Sequence, residues 1–391
     1  MLTIVGNGMG AYDFTNVPVD ITTYDVVVCD KNFKEGAPNI KKFSFREAKE
    51  YILEHYEDED ILYVVTGSPF FFSAGILLAK KIPSHFVKVI DNTSSLRYMQ
   101  SKLFFADAEV EALSLHGRAT LDLSRFLTQK YTFILCDKKS IEKIKALTHY
   151  LDPLDIKITI GYKFGYEDEV IEQINIFDYS YRAFDLTQPY VVLIERLFTP
   201  KSVMSGDDAF VTERGMITKR YKRHLSLQNL ELEPNQLLWD VGAGSGSCSI
   251  EAYKRYKVRT ILFEKQPQRC AYIEQNLKAH YVCNTKLYCG DASEWYKKEP
   301  STPERIFIGG GGEVVIAELA YLYERLAEGG IMVANFVTLT NLTQAITVLQ
   351  EAKIAFDVKS ISLTTYKMKL LMPEPERVMH QVIIKKGEKD D

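Results

Sequence analysis

Short apolar runs rich in Val and Ile recur along the chain, separated by stretches with the spacing of amphipathic helices. In the first half "LTIVG" (2–6), "DVVVCD" (25–30), "ILYVVTG" (61–67), "FVKVID" (86–91) and "EALSLHG" (111–117) read as strands, with helical patterns at 45–57 and 73–82. The series continues through "YTFILCD" (131–137), a helix at 140–150, "KITIGYKFGY" (157–166), "EVIEQINI" (169–176) and "YVVLIER" (190–196). Such alternation predicts an α/β fold with a mostly parallel sheet. No break in composition interrupts it, so 1–197 reads as one domain with room for two lobes. Residues 198–212, "FTPKSVMSGDDAFVT", mix Pro, Gly, Ser and paired aspartates without periodicity and predict a linker. From 213 a second α/β series runs to 391, with strands at 237–241, 259–264, 285–289, 305–309 and 330–336, then 355–363 and 379–385.

The bulk numbers agree with two domains: 391 residues exceed one typical domain, and 46% hydrophobic residues supply two cores. A net charge of −4 gives no global pull toward nucleic acid or an anionic membrane, and neither partner is expected. The six cysteines form no CxxC pair and no metal-ligand spacing, so no metal and no disulfide framework are predicted, and a reducing cytoplasm is the expected compartment. The N-terminal "MLTIVGNGMGAYDF" lacks the basic residues and apolar length of a signal peptide, and no run approaches the roughly 18 apolar residues of a membrane span.

The chemistry concentrates in "LLWDVGAGSGSCSIEAYKRY" (237–256), where an apolar strand ends at Asp240, a glycine-rich loop follows and a helical pattern begins. A strand, a glycine loop and a helix N-terminus together bring bare backbone N–H groups against a nucleotide-like ligand. Gly242, Gly244 and Gly246 are spaced GxGxG, with Ala243 between the first two; the dinucleotide fingerprint would need a third glycine where Ser247 stands. The next strand ends at Glu264, placed to accept hydrogen bonds from ribose hydroxyls. The third ends in "YCGDAS", which puts Asp291 and Ala292 where an adenine amino group can be read. A loop of that spacing, an acid, "GD" and a later "GG"-led strand (329–336) resemble the class I S-adenosylmethionine (SAM) methyltransferases. An NAD enzyme is the alternative for this half.

Ahead of the loop, "MITKRYKRH" (216–224) packs four basic side chains and His224, a patch able to collect a polycarboxylate by charge-assisted hydrogen bonds, or otherwise a solvated helix face. This run, with "RIFIGGGGE" (305–313) and "VANFVTLTNL" (333–342), resembles the decarboxylating C15-methyltransferases of cobalamin biosynthesis across about 213–386. The resemblance implies tetrapyrrole-site and catalytic roles for Thr218, Lys219, Asn335 and Thr338, and substrate contacts for Lys219, Arg220, Arg223, Gly310 and Gly311. Turn glycines at 309–312 and a helix cap at Thr338 are the plainer alternatives.

In the first half "IVGNGMGAYDF" (4–14) again sets a glycine loop after a strand, followed by "VVTGSPFFFSAGILLAKKI" (64–82), "VIDNTSSLRYMQSKL" (89–103) and "EALSLHGR" (111–118). In that order the runs resemble the tetrapyrrole methylase family, two-lobed proteins that hold SAM in the cleft between lobes, and most nearly its C5-methyltransferases, which are found fused ahead of C15 modules. The resemblance implies SAM contacts from Gly6, Gly8, Gly67, Ser68, Thr93 and Ser94. Three places depart from the family pattern: the first loop lacks its Pro and acid, Ser68 stands where an aspartate is usual, and "IDNTSS" lacks the glycine of P-G-[IV]-S-S.

The whole therefore reads as a two-lobed tetrapyrrole-methylase domain followed by a class I Rossmann-like SAM methyltransferase domain. The resemblance implies a self-associating, bifunctional C-methyltransferase of a precorrin or cobalt-precorrin substrate, acting at C5 and, with loss of the C12 acetate carboxyl, at C15. A non-catalytic N-terminal binding module, and an RNA methyltransferase using the basic run, are the alternatives.

Overall fold

The computed structural model describes residues 1–34, 37–118, 120–175, 190–199, 205–310, 312–367 and 371–387. Gly311, residues 200–204 of the expected linker and residue 176 of the expected strand lie outside them. The chain forms two compact units. The first comprises Met1–Leu121, Leu127–Ile141 and Lys157–Leu197; the second comprises Asp122–Phe126, Glu142–Ile156 and Phe198–Asp391.

The first unit contains two sheets. Strands β1 (Leu2–Gly6), β2 (Val26–Asp30), β3 (Ile40–Phe43), β4 (Ile61–Val65) and β5 (Val87–Ile90) form the first, in the order β3-β2-β4-β1-β5. Every pairing in it is parallel, and β1 and β4 are buried along their full length, as strands covered on both faces must be. Helices α1 (Phe45–His55), α2 (Ala74–Ala79) and α3 (Ser95–Leu103) alternate with the strands. The start of α1 is fixed by a capping box in which the Glu47 N–H donates to Ser44 Oγ and the Ser44 N–H donates to Glu47 Oε2. The second sheet, β6 (Val110–Ser114), β7 (Tyr131–Cys136), β8 (Ile156–Tyr162), β9 (Val170–Ile174) and β10 (Tyr190–Arg196), runs β6-β7-β10-β8-β9. It is mixed, because β7–β10 and β8–β9 pair antiparallel. Strand β3, "IKKF", escapes the hydrophobic pattern: it is an edge strand with two lysines and no fully buried residue, and edges tolerate and exploit such charge. Helix α4 (Ser140–Thr148) straddles the boundary between the units.

The second unit is built on one seven-stranded sheet. In chain order its elements are α5 (Arg220–Asn229), β11 (Leu237–Val241), α6 (Ser247–Tyr256), β12 (Arg259–Glu264), α7 (Pro267–Ala279), β13 (Thr285–Cys289), α8 (Ala292–Lys298), β14 (Arg305–Ile308), α9 (Gly312–Ala317), α10 (Leu319–Arg325), β15 (Ile331–Phe336) and α11 (Leu339–Glu351). Strands β16 (Asp357–Ile361), β17 (Thr364–Lys367), β18 (Met372–Pro375) and β19 (Met379–Lys385) follow. The sheet runs β13-β12-β11-β14-β15-β19-β16, parallel from β13 to β15, with β19 antiparallel to both neighbours. Period two along each strand divides the core. Trp239, Val241, Ile306, Ile308, Met332 and Ala334 face the α8–α11 side, while Leu238, Phe307, Ile331 and Val333 face α5 and α6. The small β17–β18 ribbon pairs only with itself; its exposed strands and two prolines gave no apolar alternation to read.

Candidate active site

After β11 the chain crosses to β12 on one side, and after β13 it returns to lay β14 on the other side of β11. The carboxyl end of β11 is therefore the topological switch point, where open α/β sheets leave a crevice for a ligand. The loop there is Gly242–Gly246, and its three glycines are needed for different reasons. At Gly242 (φ +73°) an added Cβ would stand 2.7 Å from the Gly310 backbone, so the loop and the end of β14 can approach only without a side chain. Gly244 (φ +61°) has open space where a Cβ would be. Gly246 (φ +74°) caps the ten-residue helix α6 in a left-handed conformation against Ile273 and Leu262.

Backbone and carboxylate bonds hold the loop in place. The Gly242 and Ala243 N–H groups donate to the Phe263 carbonyl at 2.9 and 3.1 Å, and the Gly309 N–H donates to Val241 O at 3.1 Å. Glu264, 4% exposed at the end of β12, accepts from the Gly244 N–H through Oε2 (2.8 Å) and from the Gln266 N–H through Oε1 (2.9 Å). The Gly290 N–H donates to the Glu264 carbonyl at 2.9 Å and ties the end of β13 to the same residue. Each carboxylate oxygen retains acceptor capacity beyond one backbone bond. Asp291 caps α8: Oδ1 accepts from the N–H and hydroxyl of Ser293, and Oδ2 pairs with Lys265 at 3.1 Å. These bonds, Ser293 first, hold its carboxyl below the usual range. Ala292 opens α8.

Asp240 is 1% exposed; Oδ2 accepts from Ser249 Oγ at 2.7 Å and Oδ1 has no partner. Burial, reinforced by the negative charge of Glu264, lifts its carboxyl to about 7. An orphaned buried oxygen, an open glycine cradle and an acid with acceptor capacity suit a ligand carrying both cationic and hydroxyl groups, as SAM does.

The basic run divides. Lys219 is 46% exposed on its side chain and stands 3.7 Å from Asp207, Arg220 is half-buried, and Thr218 gives its carbonyl to Arg223 Nη1 at 2.6 Å. Arg223 departs from the surface role expected of it. It is fully buried, bonded to Asp207 Oδ1 and Ser205 O, and 3.8 Å from the buried Glu251. A guanidinium so engaged is held away from any substrate carboxylate. The same charges correct the linker reading. Ser205 N–H donates to Glu251 Oε1, Lys254 Nζ reaches Ser205 Oγ, and Phe210 is buried against His280. The described part of the segment is thus docked, and its paired aspartates serve the buried arginine.

Asn335 sits near the end of β15 in a polar network: Nδ2 donates to Ser226 Oγ at 2.9 Å and Oδ1 accepts from Gln381 Nε2 at 3.0 Å. Fully buried Gln381 also bonds Ser226 and Asn229. Thr338 caps α11 by accepting from the Asn341 N–H, the plainer of its two readings. Gly310 packs beside Gly242. Ser249, Glu251, Ser226 and Gln381 carry much of this geometry; the first two lie in the helical run after the glycine loop, but the only signal that marks any of the four is a polar side chain at a fully buried position.

In the first unit the glycine loops meet. Gly8 and Gly67, both at positive φ, form an antiparallel bridge with reciprocal 3.1 Å bonds. A Cβ on Gly6 would stand 2.2 Å from the Gly67 carbonyl. Ser68 Oγ donates to Asp91 Oδ1 at 2.5 Å, and Asn92 Nδ2 donates to Gly6 O at 2.9 Å. The Thr93 N–H donates to Asn92 Oδ1, and Ser94 caps α3. All six positions singled out in the sequence thus surround one strand-end cluster, in which Asp91 supplies a carboxylate beside Ser68.

The second unit is a Rossmann-like methyltransferase domain, and the model of the precorrin methyltransferase domain family matches it over residues 208–366. A precorrin-6Y C(5,15)-methyltransferase (decarboxylating) from a Sinorhizobium species is 30% identical over 293 residues, which span 71% of this chain and 68% of that protein. The chain belongs to the precorrin-6Y C5,15-methyltransferase (decarboxylating) family, SAM-dependent methyltransferases of cobalamin biosynthesis. A probable cobalt-precorrin-6B C(15)-methyltransferase (decarboxylating) from Pyrobaculum aerophilum is 32% identical over 165 residues, covering 40% of this chain and 81% of that one. A crystal structure of precorrin-6Y C5,15-methyltransferase from Geobacter metallireducens has 32% identity and a TM-score of 0.45, covering 48% of this chain and 99% of that one.

Proposed function

We propose that the two halves divide two methylations of one tetrapyrrole: residues 213–391 act at C15 with loss of the C12 acetate carboxyl, and residues 1–197 act at C5. SAM, when bound, supplies an electrophilic methyl group on a sulfonium. In the C-terminal half Gly242, Ala243, Gly244, Gly246, Asp240, Glu264, Asp291 and Ala292 would hold it. The observation that carries this reading is the cradle itself: the N–H of Gly244, the one loop glycine facing open space, hangs from the buried Glu264 carboxylate. A carboxylate acceptor fixed by backbone donors before the ligand arrives needs no reorganisation when it does.

The nucleophile is a ring carbon of an electron-rich macrocycle, so the chain's share of catalysis is alignment and charge. Lys219 and Arg220, at the start of α5, would meet peripheral carboxylates; Thr218, Asn335, Thr338 and Gly310 would border the macrocycle. At C15 the ring carbon would take the methyl as the S–CH3 bond breaks and the thioether leaves. Cleavage of the acetate carboxyl would return an electron pair to the macrocycle, release carbon dioxide and leave a methylene carbon that takes up a proton to become a methyl group. In the N-terminal half Gly6, Gly8, Gly67, Ser68, Thr93 and Ser94 would hold a second SAM in the cleft of a two-lobed tetrapyrrole-methylase domain. The Ser68–Asp91 pair supports activity there, because it returns a carboxylate to a place where the sequence alone lacks one. A cytoplasmic, self-associating enzyme is part of the same proposal.

Incubation of the full chain with SAM and a precorrin-6Y-type substrate, followed by mass spectrometry of the macrocycle, tests the proposal. Two added methyl groups with one carboxyl lost is the expected product. One methyl with the carboxyl lost would reduce the N-terminal half to a binding module.

A further inference from the structure

The structure joins Cys270 and Cys289 as a disulfide, with Cα atoms 6.1 Å apart, where the cysteine spacing had suggested no pairing. The bridge lies at the edge of the crevice. Cys270 is in the first turn of α7, 4% exposed, with its sulfur 3.4 Å from the Glu264 carbonyl. Cys289 is the last residue of β13, exposed to solvent, and immediately precedes Gly290 and Asp291. Glu264 and the Gly290–Asp291 turn are the two walls read above as the adenosyl side of the site, and the disulfide links the elements that carry them.

We propose that Cys270 and Cys289 form a reversible dithiol–disulfide couple that sets how firmly this side of the site is held. The proposal rests on the reading of the crevice as the SAM site. Intracellular disulfides are typically transient or redox-sensing, and exposure of Cys289 opens the bond to attack by small thiolates. Oxidation by glutathione disulfide removes two S–H bonds, forms one S–S bond and releases two glutathione thiols, which carry away the two electrons and two protons. In the oxidised form the end of β13 and the first turn of α7 are tied, so less freedom is lost when a ligand orders them. Reduction leaves the exposed end of β13 held only by hydrogen bonds, chiefly its backbone bonds to β12, and weakens binding.

Trp295 gives a direct reporter. Its indole Nε1 donates to the Cys289 carbonyl at 3.2 Å and its ring stacks on Tyr288, whereas the second tryptophan, Trp239, is wholly buried in the core. The test equilibrates the full chain in glutathione buffers of graded ratio, quenches exchange with acid, alkylates free thiols in denaturant because all but Cys289 are buried, and maps the labelled cysteines by mass. It also records tryptophan emission and titrates SAM calorimetrically into the oxidised form, the reduced form and Cys289→Ser. The expected result is four labelled thiols in the oxidised form against six in the reduced, with a matching change in emission. SAM affinity should be about threefold to tenfold tighter in the oxidised form, and Cys289→Ser should bind like the reduced chain and ignore the buffer. Six labelled thiols at every ratio, or equal SAM affinity in the two forms, would overturn the proposal. Absence of SAM binding in both forms, with the thiols and emission still titrating, would instead sink the cofactor assignment, and with it the claim that the couple governs that site.

Discussion

Replacement of Asp240 by Asn separates the cost of a buried charge from its use. In the folded chain burial lifts the Asp240 carboxyl to about 7, whereas an unfolded aspartate titrates near 3.9. The group is essentially inaccessible to solvent, so little screening reduces the effect. A folded-state value above the unfolded one means that between pH 4 and 7 the native chain keeps a proton the unfolded chain has lost. Stability therefore falls as pH rises through that window, and the full penalty stands above pH 7. Three pH units at about 1.4 kcal/mol each put it on the order of 4 kcal/mol. Asn keeps the shape and can still accept from Ser249, so Asp240→Asn relieves most of the penalty at pH 8 and about 1 kcal/mol at most near pH 4.5. Urea denaturation of both chains at the two pH values measures the difference, which should grow with pH in favour of the variant. The same variant should lose about tenfold or more in calorimetric SAM affinity, as the unpartnered oxygen would no longer offer a charge. A stability difference that is constant from pH 4.5 to 8 would mean that the Asp240 carboxyl is not raised by burial in the folded chain.

Further outcomes follow from the same geometry. Gly242→Ala should abolish SAM binding at the C-terminal site, leaving the N-terminal one, and cost about 2–3 kcal/mol in urea denaturation, because its Cβ meets the Gly310 backbone at a positive φ. Gly244→Ala should cost only about 1–2 kcal/mol of dihedral strain and act on SAM affinity. Arg223→Met should lose about 3–5 kcal/mol by leaving buried Glu251 without its cation, while Arg220→Met should change stability by less than about 0.5 kcal/mol and raise KM for the macrocycle. Asp91→Asn should slow C5 methylation and leave C15 methylation unchanged in a mass-resolved product assay.

The central strands β11 and β12 were legible because a parallel sheet writes doubly covered strands as continuous apolar runs; they begin and end at the residues read from the sequence, as do the edge strand β13 and the antiparallel β19. The glycine loop was legible because its dihedrals and its close approach to Gly310 demand glycine itself. What pattern could not give were the partners. Arg223 and Lys219 sit four residues apart in one basic run, yet one is buried and the other half exposed. That difference follows the partners only Arg223 has, Glu251 on a helix and the carbonyl of Ser205 in the supposed linker, both distant in sequence. Asp91 was likewise invisible as a companion of Ser68, since the register of β4 and β5 on either side of β1 brings them together. Local periodicity carries no information on such pairings. The polar β17–β18 ribbon was missed because nothing in it alternates.

The division of labour between the halves is tested most directly by position-resolved product analysis. The full chain, Gly242→Val and Gly8→Val are each incubated with methyl-labelled SAM and a precorrin-6Y-type macrocycle, and carbon NMR locates each label. Both glycines stand at positive φ; the Gly242 substitution drives a side chain into the Gly310 backbone, and the Gly8 substitution displaces the Asn92 side chain that holds the Gly6 carbonyl. Label is expected at C5 and C15 for the full chain, at C5 alone with the acetate carboxyl intact for Gly242→Val, and at C15 alone with that carboxyl lost for Gly8→Val. Both labels surviving in either variant, or both vanishing in a folded one, would contradict it.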